Sequence, residues 1–328
     1  MSVTRSSIPG ISLGIVLVYV LGCIFPENWR LVACIITCLP FVSTIALWFL
    51  LPESPTWLMS RGRVVEAEAA MRRIKGVPWG ITRQENLEQD METMIAPEAE
   101  QDTNSRWKGT LLFLKRPEAY KPLLIMNAFF FFQQFSGIFV IIFYAVTVAK
   151  EAGVNFDSYL AAVFIGVSRL IVTVVISFAS RRYGRRVLCN VSGVCMTLSL
   201  VGLTLYLTLT HDRILADDAY GWWPIIALVM YIISSTVGFL TLPWAMIGEV
   251  FPVRIRGPAT GFTTCMAYLF SFVILKMYPE MKHVWGNHGL FTFYSTIALA
   301  GTICMYVYLP ETRDRTFRQI EEHFRGKV

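Results

Sequence analysis

Eight long apolar runs constrain the fold of this chain more than any other feature of its sequence. A helix that crosses the hydrocarbon core of a bilayer needs about 20 mostly apolar residues and must satisfy its own backbone hydrogen bonds. The runs therefore predict an all-α membrane protein with eight transmembrane helices. The predicted spans are Ile8–Phe25, Leu31–Leu51, Leu123–Val148, Tyr159–Ser180, Val187–Thr210, Trp223–Ile247, Ala259–Tyr278 and Leu290–Leu309.

The composition agrees with a membrane protein and excludes several other classes. Of the 328 residues, 55% are hydrophobic and only 16% are charged, whereas a soluble domain of this size carries more charge. The net charge of +6 is small and indicates membrane orientation rather than a nucleic-acid partner. The seven cysteines lie in apolar runs and the four histidines in loops or the tail, so we predict no enzyme activity, metal or cofactor.

Lysine and arginine are distributed unequally between the two sides of the predicted bundle. If both termini are cytoplasmic, 23 of the 29 fall on the cytoplasmic side, five fall outside and Arg169 lies within a span. Positive residues accumulate on the cytoplasmic side of membrane proteins, which favours this orientation. We predict a multi-pass plasma-membrane protein with both termini in the cytoplasm.

A polar segment at residues 52–122 separates two predicted spans from the six that follow. Large secondary transporters are commonly built as two six-helix halves, so we expect about four helices to be missing at the amino end. A truncated product, a splice variant or an incomplete gene model would give this layout. The predicted domains are a remnant of the N-terminal bundle (1–51), a cytoplasmic linker with short helices at Val64–Ile74 and Asn86–Ile95 (52–122), a six-helix bundle (123–309) and a cytoplasmic tail (310–328).

Two adjacent amides, Gln133 and Gln134, interrupt the third apolar run. Hydrocarbon does not tolerate side-chain amides without partners, so the pair must face other helices or a water-filled cavity. On a continuous helix, Gln133, Gly137, Val140 and Tyr144 lie near one face. Two interpretations remain open, namely hydrogen bonds between packed helices and a solute site near the membrane midplane.

Five short motifs occur in order along the chain. They are Pro52-Glu53-Ser54-Pro55-Thr56-Trp57-Leu58, Gln133-Gln134-Phe135-Ser136-Gly137, Gly184-Arg185-Arg186, Leu242-Pro243-Trp244 with Glu249-Val250-Phe251-Pro252 and Arg256-Gly257, and Pro310-Glu311-Thr312-Arg313 with Thr316-Phe317. Together they resemble the motifs of the sugar porter family of the major facilitator superfamily, from the family's fifth helix onward, and among its branches the insect facilitated trehalose transporters. The resemblance implies a truncated major facilitator fold that carries a small sugar, such as trehalose or glucose, by alternating access.

The resemblance also implies which residues bind the sugar. Amides would hydrogen-bond to its hydroxyls, and an indole beside the helix kink at Pro243 would lie against its ring. A packing tryptophan at a structural kink is the alternative for Trp244. The predicted cavity residues are Gln133, Gln134, Tyr144 and Trp244, with Arg169 and Thr241 as further members.

Arg169 lies near the centre of the fourth span, where a charge costs about 2.5–3.5 kcal/mol to insert. None of the eight spans has an acidic residue at a matching depth. A helix carbonyl, a residue of the absent half or the substrate is its expected partner. The family often has asparagine here as a sugar ligand, so a structural role and a cavity role both remain open.

A dense basic turn precedes the fifth span and consists of Arg181, Arg182, Arg185 and Arg186. It serves as an orientation signal that attracts anionic lipid headgroups. It is also placed to pair with acidic residues at cytoplasmic helix ends and so to hold an outward-facing state. The predicted cytoplasmic gate consists of Glu53, Arg185, Arg186, Glu249 and Glu311.

Several cavity positions that are polar in the family have lost or changed that character here. Sugar recognition needs buried donors and acceptors, so their loss indicates a weaker or different ligand. A transport-incompetent sensor or partner-binding protein derived from a sugar carrier is therefore the alternative function. The expected partners are a small sugar and the lipid bilayer, with protons as a further candidate. The altered positions are Phe139, Phe143, Thr236, Ala267, Tyr268 and Ser271.

Overall fold

The computed structural model describes residues 3–50, 53, 57–58, 61–75, 117–151, 157–179, 183–211, 222–252, 255–311, 319 and 324. Within these residues the regular secondary structure is helical, without a strand. The helices, numbered in chain order, are α1 (Val3–Ile24), α2 (Trp29–Leu50), α3 (Val64–Lys75), α4 (Pro117–Phe135), α5 (Ile138–Phe143), α6 (Ala145–Glu151), α7 (Ser158–Ala179), α8 (Arg185–His211), α9 (Trp223–Val237), α10 (Leu242–Val250) and α11 (Arg256–Tyr308).

Within the described residues, helix occupies most of each of the eight predicted spans. α11 covers the seventh and eighth spans, and its two parts are separated at Gly286, where φ is 66° and ψ is 179°. Glycine adopts such a conformation without a steric cost. α1 contributes a shorter apolar helix, Pro9–Ile24. Among the described residues, five helices are long and apolar enough to cross a membrane, namely Trp29–Phe49, Ser158–Phe178, Arg185–Thr210, Trp223–Val250 and Arg256–Tyr308.

The third predicted span is interrupted rather than continuous. α4 ends at Phe135, and Gly137 has a left-handed backbone with φ 86° before α5 begins. A Cβ atom at this position would lie 2.6 Å from the ring of Tyr294, so both the backbone angle and the packing require glycine. The prediction that Gln133 and Tyr144 share one face of a continuous helix is therefore wrong, because the helix is interrupted at residues 136–137 between them.

Residues 1–29 and 110–328 form one compact unit, and residues 30–109 form a second. In the first unit, α8 packs along α9 and α11, α4 packs against α11, and α1 packs against α7. Its core buries large side chains, which include Phe129, Phe130, Met196, Tyr231 and Tyr294. The domain boundaries predicted at residues 51 and 122 stay a prediction.

The second unit contains α2 and α3. Leu58 packs with Ala67 and Ala70 of α3 in a small apolar cluster. The helix predicted at Val64–Ile74 is observed as α3, which ends one residue later. The predicted helix Asn86–Ile95 lies outside the described residues.

Candidate solute-binding cavity

The sixth predicted span is broken between α9 and α10. Residues 238–241 form turns, and α10 has Pro243 in its first turn, where the missing N–H costs no helical bond. A Cβ atom at Gly238 would lie 2.6 Å from the carbonyl oxygen of Leu188, so glycine lets α8 approach this point closely. The break leaves backbone groups that need other partners.

Gln133 supplies partners for two of those backbone groups. Its Nε2 donates to the carbonyl oxygens of Phe239 and Leu240 at 2.8 and 2.9 Å, and its side chain is fully buried. This contact is the interhelical hydrogen bond that the sequence left open as one of two roles. Contact between Gln133 and a solute stays a prediction.

Hydroxyl groups satisfy further backbone groups on either side of the break. Ser192 Oγ donates to the carbonyl oxygen of Ser234 at 2.7 Å and accepts from the amide of Phe239 at 3.0 Å. Thr241 Oγ1 donates to the carbonyl oxygen of Thr236 at 3.1 Å. Side chains on α4, α8 and the break itself therefore hold the irregular segment in one conformation.

A cavity of about 650 Å³ lies beside the break. Its walls come from α1, α5, α7, α10 and α11, together with residues of the break. Three predicted site residues line it, namely Arg169, Thr241 and Trp244, whereas Gln133, Gln134 and Tyr144 are not among its lining residues. The lining consists of Ile11, Ser12, Gly14, Ile15, Val18, Tyr19, Phe139, Ile142, Phe143, Arg169, Thr173, Leu240, Thr241, Trp244, Ala245 and Tyr268.

Arg169 is 7% exposed at the cavity wall. Its Nε and Nη1 atoms have no hydrogen-bond partner among the described residues. None of the described residues lining the cavity is acidic. The helix carbonyl considered from the sequence is therefore not seen as a partner of these two atoms among the described residues.

Aromatic rings occupy another part of the wall. Trp244 packs edge-on against Phe130, with ring centroids 4.8 Å apart, and lies 5.8 Å from the ring of Tyr268. The indole is partly buried, so part of it faces the cavity. Such a ring offers a flat apolar face and one N–H donor to a solute.

The other two predicted cavity residues, Gln134 and Tyr144, do not line this cavity. Gln134 is 1% exposed, and its Oε1 has no partner among the described residues. The ring of Tyr144 lies 4.7 Å from that of Tyr278 on α11. Their contact with a solute stays a prediction.

Sequence reasoning missed the polar residues that α1 brings to the cavity. Ser12 and Tyr19 line it, and Gly166 on α7 allows the close approach, since a Cβ atom there would lie 2.7 Å from the ring of Tyr19. The two residues are spaced i, i+7 on an apolar helix. That spacing places them on one face and was the available signal.

Four predicted gate residues meet at the start of α8. Arg185 Nη2 lies 3.1 Å from Glu249 Oε1. The carboxylate of Glu311 accepts from the backbone amides of Arg185 and Arg186 at 3.0 and 3.2 Å, where the helix dipole favours a negative charge. Arg186 Nη2 donates to the carbonyl oxygen of Tyr306. Glu53 belongs to the second compact unit, and a gate that includes it stays a prediction.

Known proteins share this sequence pattern over nearly the whole chain. A family model described as "Sugar (and other) transporter" matches residues 6–324. The facilitated trehalose transporter Tret1-2 homolog of Drosophila sechellia is 32% identical over 319 residues, which cover 97% of this chain and 63% of that protein. Tret1 of Apis mellifera ligustica is 32% identical over 302 residues, which cover 92% of this chain and 58% of that protein. The chain thus spans less than two thirds of the length of these relatives.

Solved structures share the fold. The proton:xylose symporter XylE of the major facilitator superfamily, bound to 6-bromo-6-deoxy-D-glucose, matches with a TM-score of 0.72 at 23% identity, covering 98% of this chain and 66% of that chain. XylE from E. coli in a partially occluded inward-open conformation matches with a TM-score of 0.72 at 22% identity, covering 95% and 64%. The predicted major facilitator fold is confirmed.

Proposed function

Because this chain belongs to the sugar transporter family and is a multi-pass membrane protein with the major facilitator fold, we propose that it carries a small sugar across the membrane by alternating access. The sugars named for its relatives, trehalose and xylose, belong to this class of substrate. The plasma membrane is the proposed location, with both termini in the cytoplasm as the distribution of Lys and Arg favours.

The cavity beside the broken span is the observation that carries this proposal. Carriers of this architecture bind their substrates where discontinuous helices expose polar groups inside the bundle. Here the break at residues 238–241 forms one wall through Leu240 and Thr241, and Trp244 follows one turn later on α10. The cavity volume of about 650 Å³ falls in the range of small-molecule sites.

Some residues of this region would contact the sugar, and another would stabilise the conformation of the break. Trp244 would lie against a sugar ring, and Arg169 would donate hydrogen bonds to sugar oxygens. Gln133 would hold the break in its conformation through the two hydrogen bonds that its Nε2 donates to the backbone. Arg185, Glu249 and Glu311 would form part of a gate that changes between the two states of the carrier.

Uptake by proteoliposomes that contain the 328-residue chain tests the proposal. We expect saturable uptake of radiolabelled trehalose or glucose above that of protein-free vesicles. Trp244→Ala should lower uptake about tenfold, which corresponds to about 1.4 kcal/mol of lost binding. Cys195→Ala is the matched control because Cys195 is exposed and lies outside the cavity.

Uptake that does not exceed the protein-free vesicles, from correctly folded protein, would contradict transport by this chain. It would favour the alternative of a sensor or partner-binding protein. A proton ionophore added to the same vesicles tests coupling to protons, which the name of XylE attributes to that symporter. Loss of concentrative uptake with the ionophore would support proton symport.

A further inference from the structure

The polar side chains of the cavity differ in how much hydrogen-bonding capacity they have left. Ser12 and Thr173 are bonded to each other, with their oxygen atoms 3.1 Å apart. Thr173 Oγ1 also donates to the carbonyl oxygen of Arg169 at 2.7 Å, so Ser12 is the donor in the first bond. Each hydroxyl has one hydrogen, and both hydrogens are therefore used within the protein.

Two more hydroxyl groups of the lining also donate their hydrogen within the protein. Tyr19 donates to the carbonyl oxygen of Ile142, and Thr241 donates to that of Thr236. These four hydroxyl groups can still accept hydrogen bonds from a solute, but they have no hydrogen left to donate. A solute oxygen that needs a donor must therefore find it in other lining residues, such as Arg169 and Trp244.

The guanidinium of Arg169, in contrast, still has hydrogen-bond donors that the described residues do not use. It is 7% exposed, its Nε and Nη1 lack partners among the described residues, and it is the one charged side chain in the described lining. Arginine stays protonated at physiological pH, so the positive charge persists inside an otherwise mostly apolar cavity. An unpaired charge in such surroundings is costly unless a counter-charge or strong hydrogen bonds compensate it.

We propose that the cavity selects a sugar that carries a carboxylate, and that the carboxylate binds to the guanidinium of Arg169 while the sugar ring lies against Trp244. A carboxylate accepts two parallel N–H donors of a guanidinium in a charge-assisted pair. The pair compensates the charge that a neutral sugar would leave in place. This inference deepens the proposed function, because it names the substrate class of the same cavity.

Equilibrium binding to the purified 328-residue chain tests the selection without requiring transport. D-glucuronate and D-glucose are matched probes, because they differ only at carbon 6, where a carboxylate replaces a hydroxymethyl group. Glucuronate should bind at least about tenfold more tightly than glucose, the ratio that corresponds to about 1.4 kcal/mol. Sodium acetate at the same concentration tests whether a carboxylate alone is sufficient. Equal binding of glucuronate and acetate would overturn the sugar-acid assignment.

Variants of Arg169 assign the preference to this residue. Arg169→Gln should lower glucuronate affinity about tenfold and glucose affinity much less, because glutamine keeps N–H donors but loses the charge, while Arg169→Lys should keep most of the preference because it keeps the charge. Lys276→Gln is the control, since it removes one positive charge from an exposed position outside the cavity. A similar loss of both sugars in Arg169→Gln would show a structural role and overturn the proposal.

The outcomes separate this inference from the proposed function. Glucose uptake without a preference for glucuronate would keep transport and overturn the selection by charge. Glucuronate binding without uptake of either sugar would keep the selection and contradict transport. Size-exclusion chromatography of each variant shows whether it folds. If Arg169→Gln does not fold, the ratio of glucuronate to glucose binding in the unmodified chain and in Arg169→Lys decides the proposal.

Discussion

Two arginines in the same helical unit have opposite surroundings. Arg185 pairs with Glu249, and its backbone amide donates to Glu311, whereas Nε and Nη1 of Arg169, a residue of the cavity wall, are buried without a hydrogen-bond partner among the described residues. Both are largely buried, so burial alone does not distinguish them. The two arginines differ in whether a carboxylate of the described residues balances the positive charge. A charge that is paired in this way can stabilise the fold, while an unbalanced charge can bind a ligand of opposite charge.

The largest effect is expected at a side chain whose two hydrogen-bond donors are both used inside the fold. Gln133→Leu should destabilise the protein by about 2–3 kcal/mol, since it leaves two buried carbonyl groups without their donor. Denaturant titration in detergent micelles measures this loss, with Cys195→Ala as a control expected to change stability by less than about 0.5 kcal/mol. Equal stabilities would mean that water replaces the amide at the break.

A smaller loss is expected at the ion pair. Glu249→Ala should cost about 1–2 kcal/mol, because the side chains of Arg185 and Glu249 are only 16% and 20% exposed, and truncation leaves the guanidinium without this carboxylate. A double-mutant cycle with Arg185→Ala isolates the coupling between the two residues. Additive effects would show that they act independently and would remove the paired side of the comparison.

The contact of Glu311 with the start of α8 should be weaker still. Glu311→Gln keeps an oxygen acceptor but removes the negative charge that favours the positive end of the helix dipole, at a cost of about 0.5–1 kcal/mol. The loss should shrink as ionic strength rises, because salt screens an interaction of this kind near solvent. A loss that is the same in low and high salt would assign the effect to hydrogen-bond geometry instead.

The smallest change in stability is expected on replacing Arg169, and this change could be a gain rather than a loss. Arg169→Met preserves much of the side-chain volume and removes an uncompensated charge, so stability should stay within about 0.5 kcal/mol or increase. The same titration measures it. A loss of 2 kcal/mol or more, on the scale of a buried satisfied pair, would show that Arg169 has a structural partner and would end the contrast with Arg185.

The positions of the spans were predictable because the bilayer requires long apolar helices, and hydropathy records this requirement directly. The interruption at Gly137 could not be predicted, because Ser136-Gly137 lies inside an apolar run and a single glycine is common in membrane helices. Pro243 indicated a disturbed sixth span, but its true break at residues 238–241 depends on side chains from other helices.

The candidate cavity was predicted in part for a similar reason. Arg169 and Trp244 were recognised from the sequence, one as a charge inside an apolar span and the other from its place in a motif. Gln133 was expected to face a solute, yet its hydrogen-bond donors face the backbone of α9–α10, which sequence spacing cannot specify. Tyr19 was overlooked because α1 was assigned to the N-terminal bundle, and the sequence does not show that this helix packs on α7.

The hydrogen bonds at residues 238–241 also determine how stiff the sixth span is. In a regular helix, resistance to bending is spread over the repeating backbone bonds and changes little with side-chain identity. Here the amide of Gln133 and the hydroxyls of Ser192 and Thr241 hold the backbone of the break. Removing one hydroxyl would therefore soften the span at a defined point while leaving the helices on either side intact.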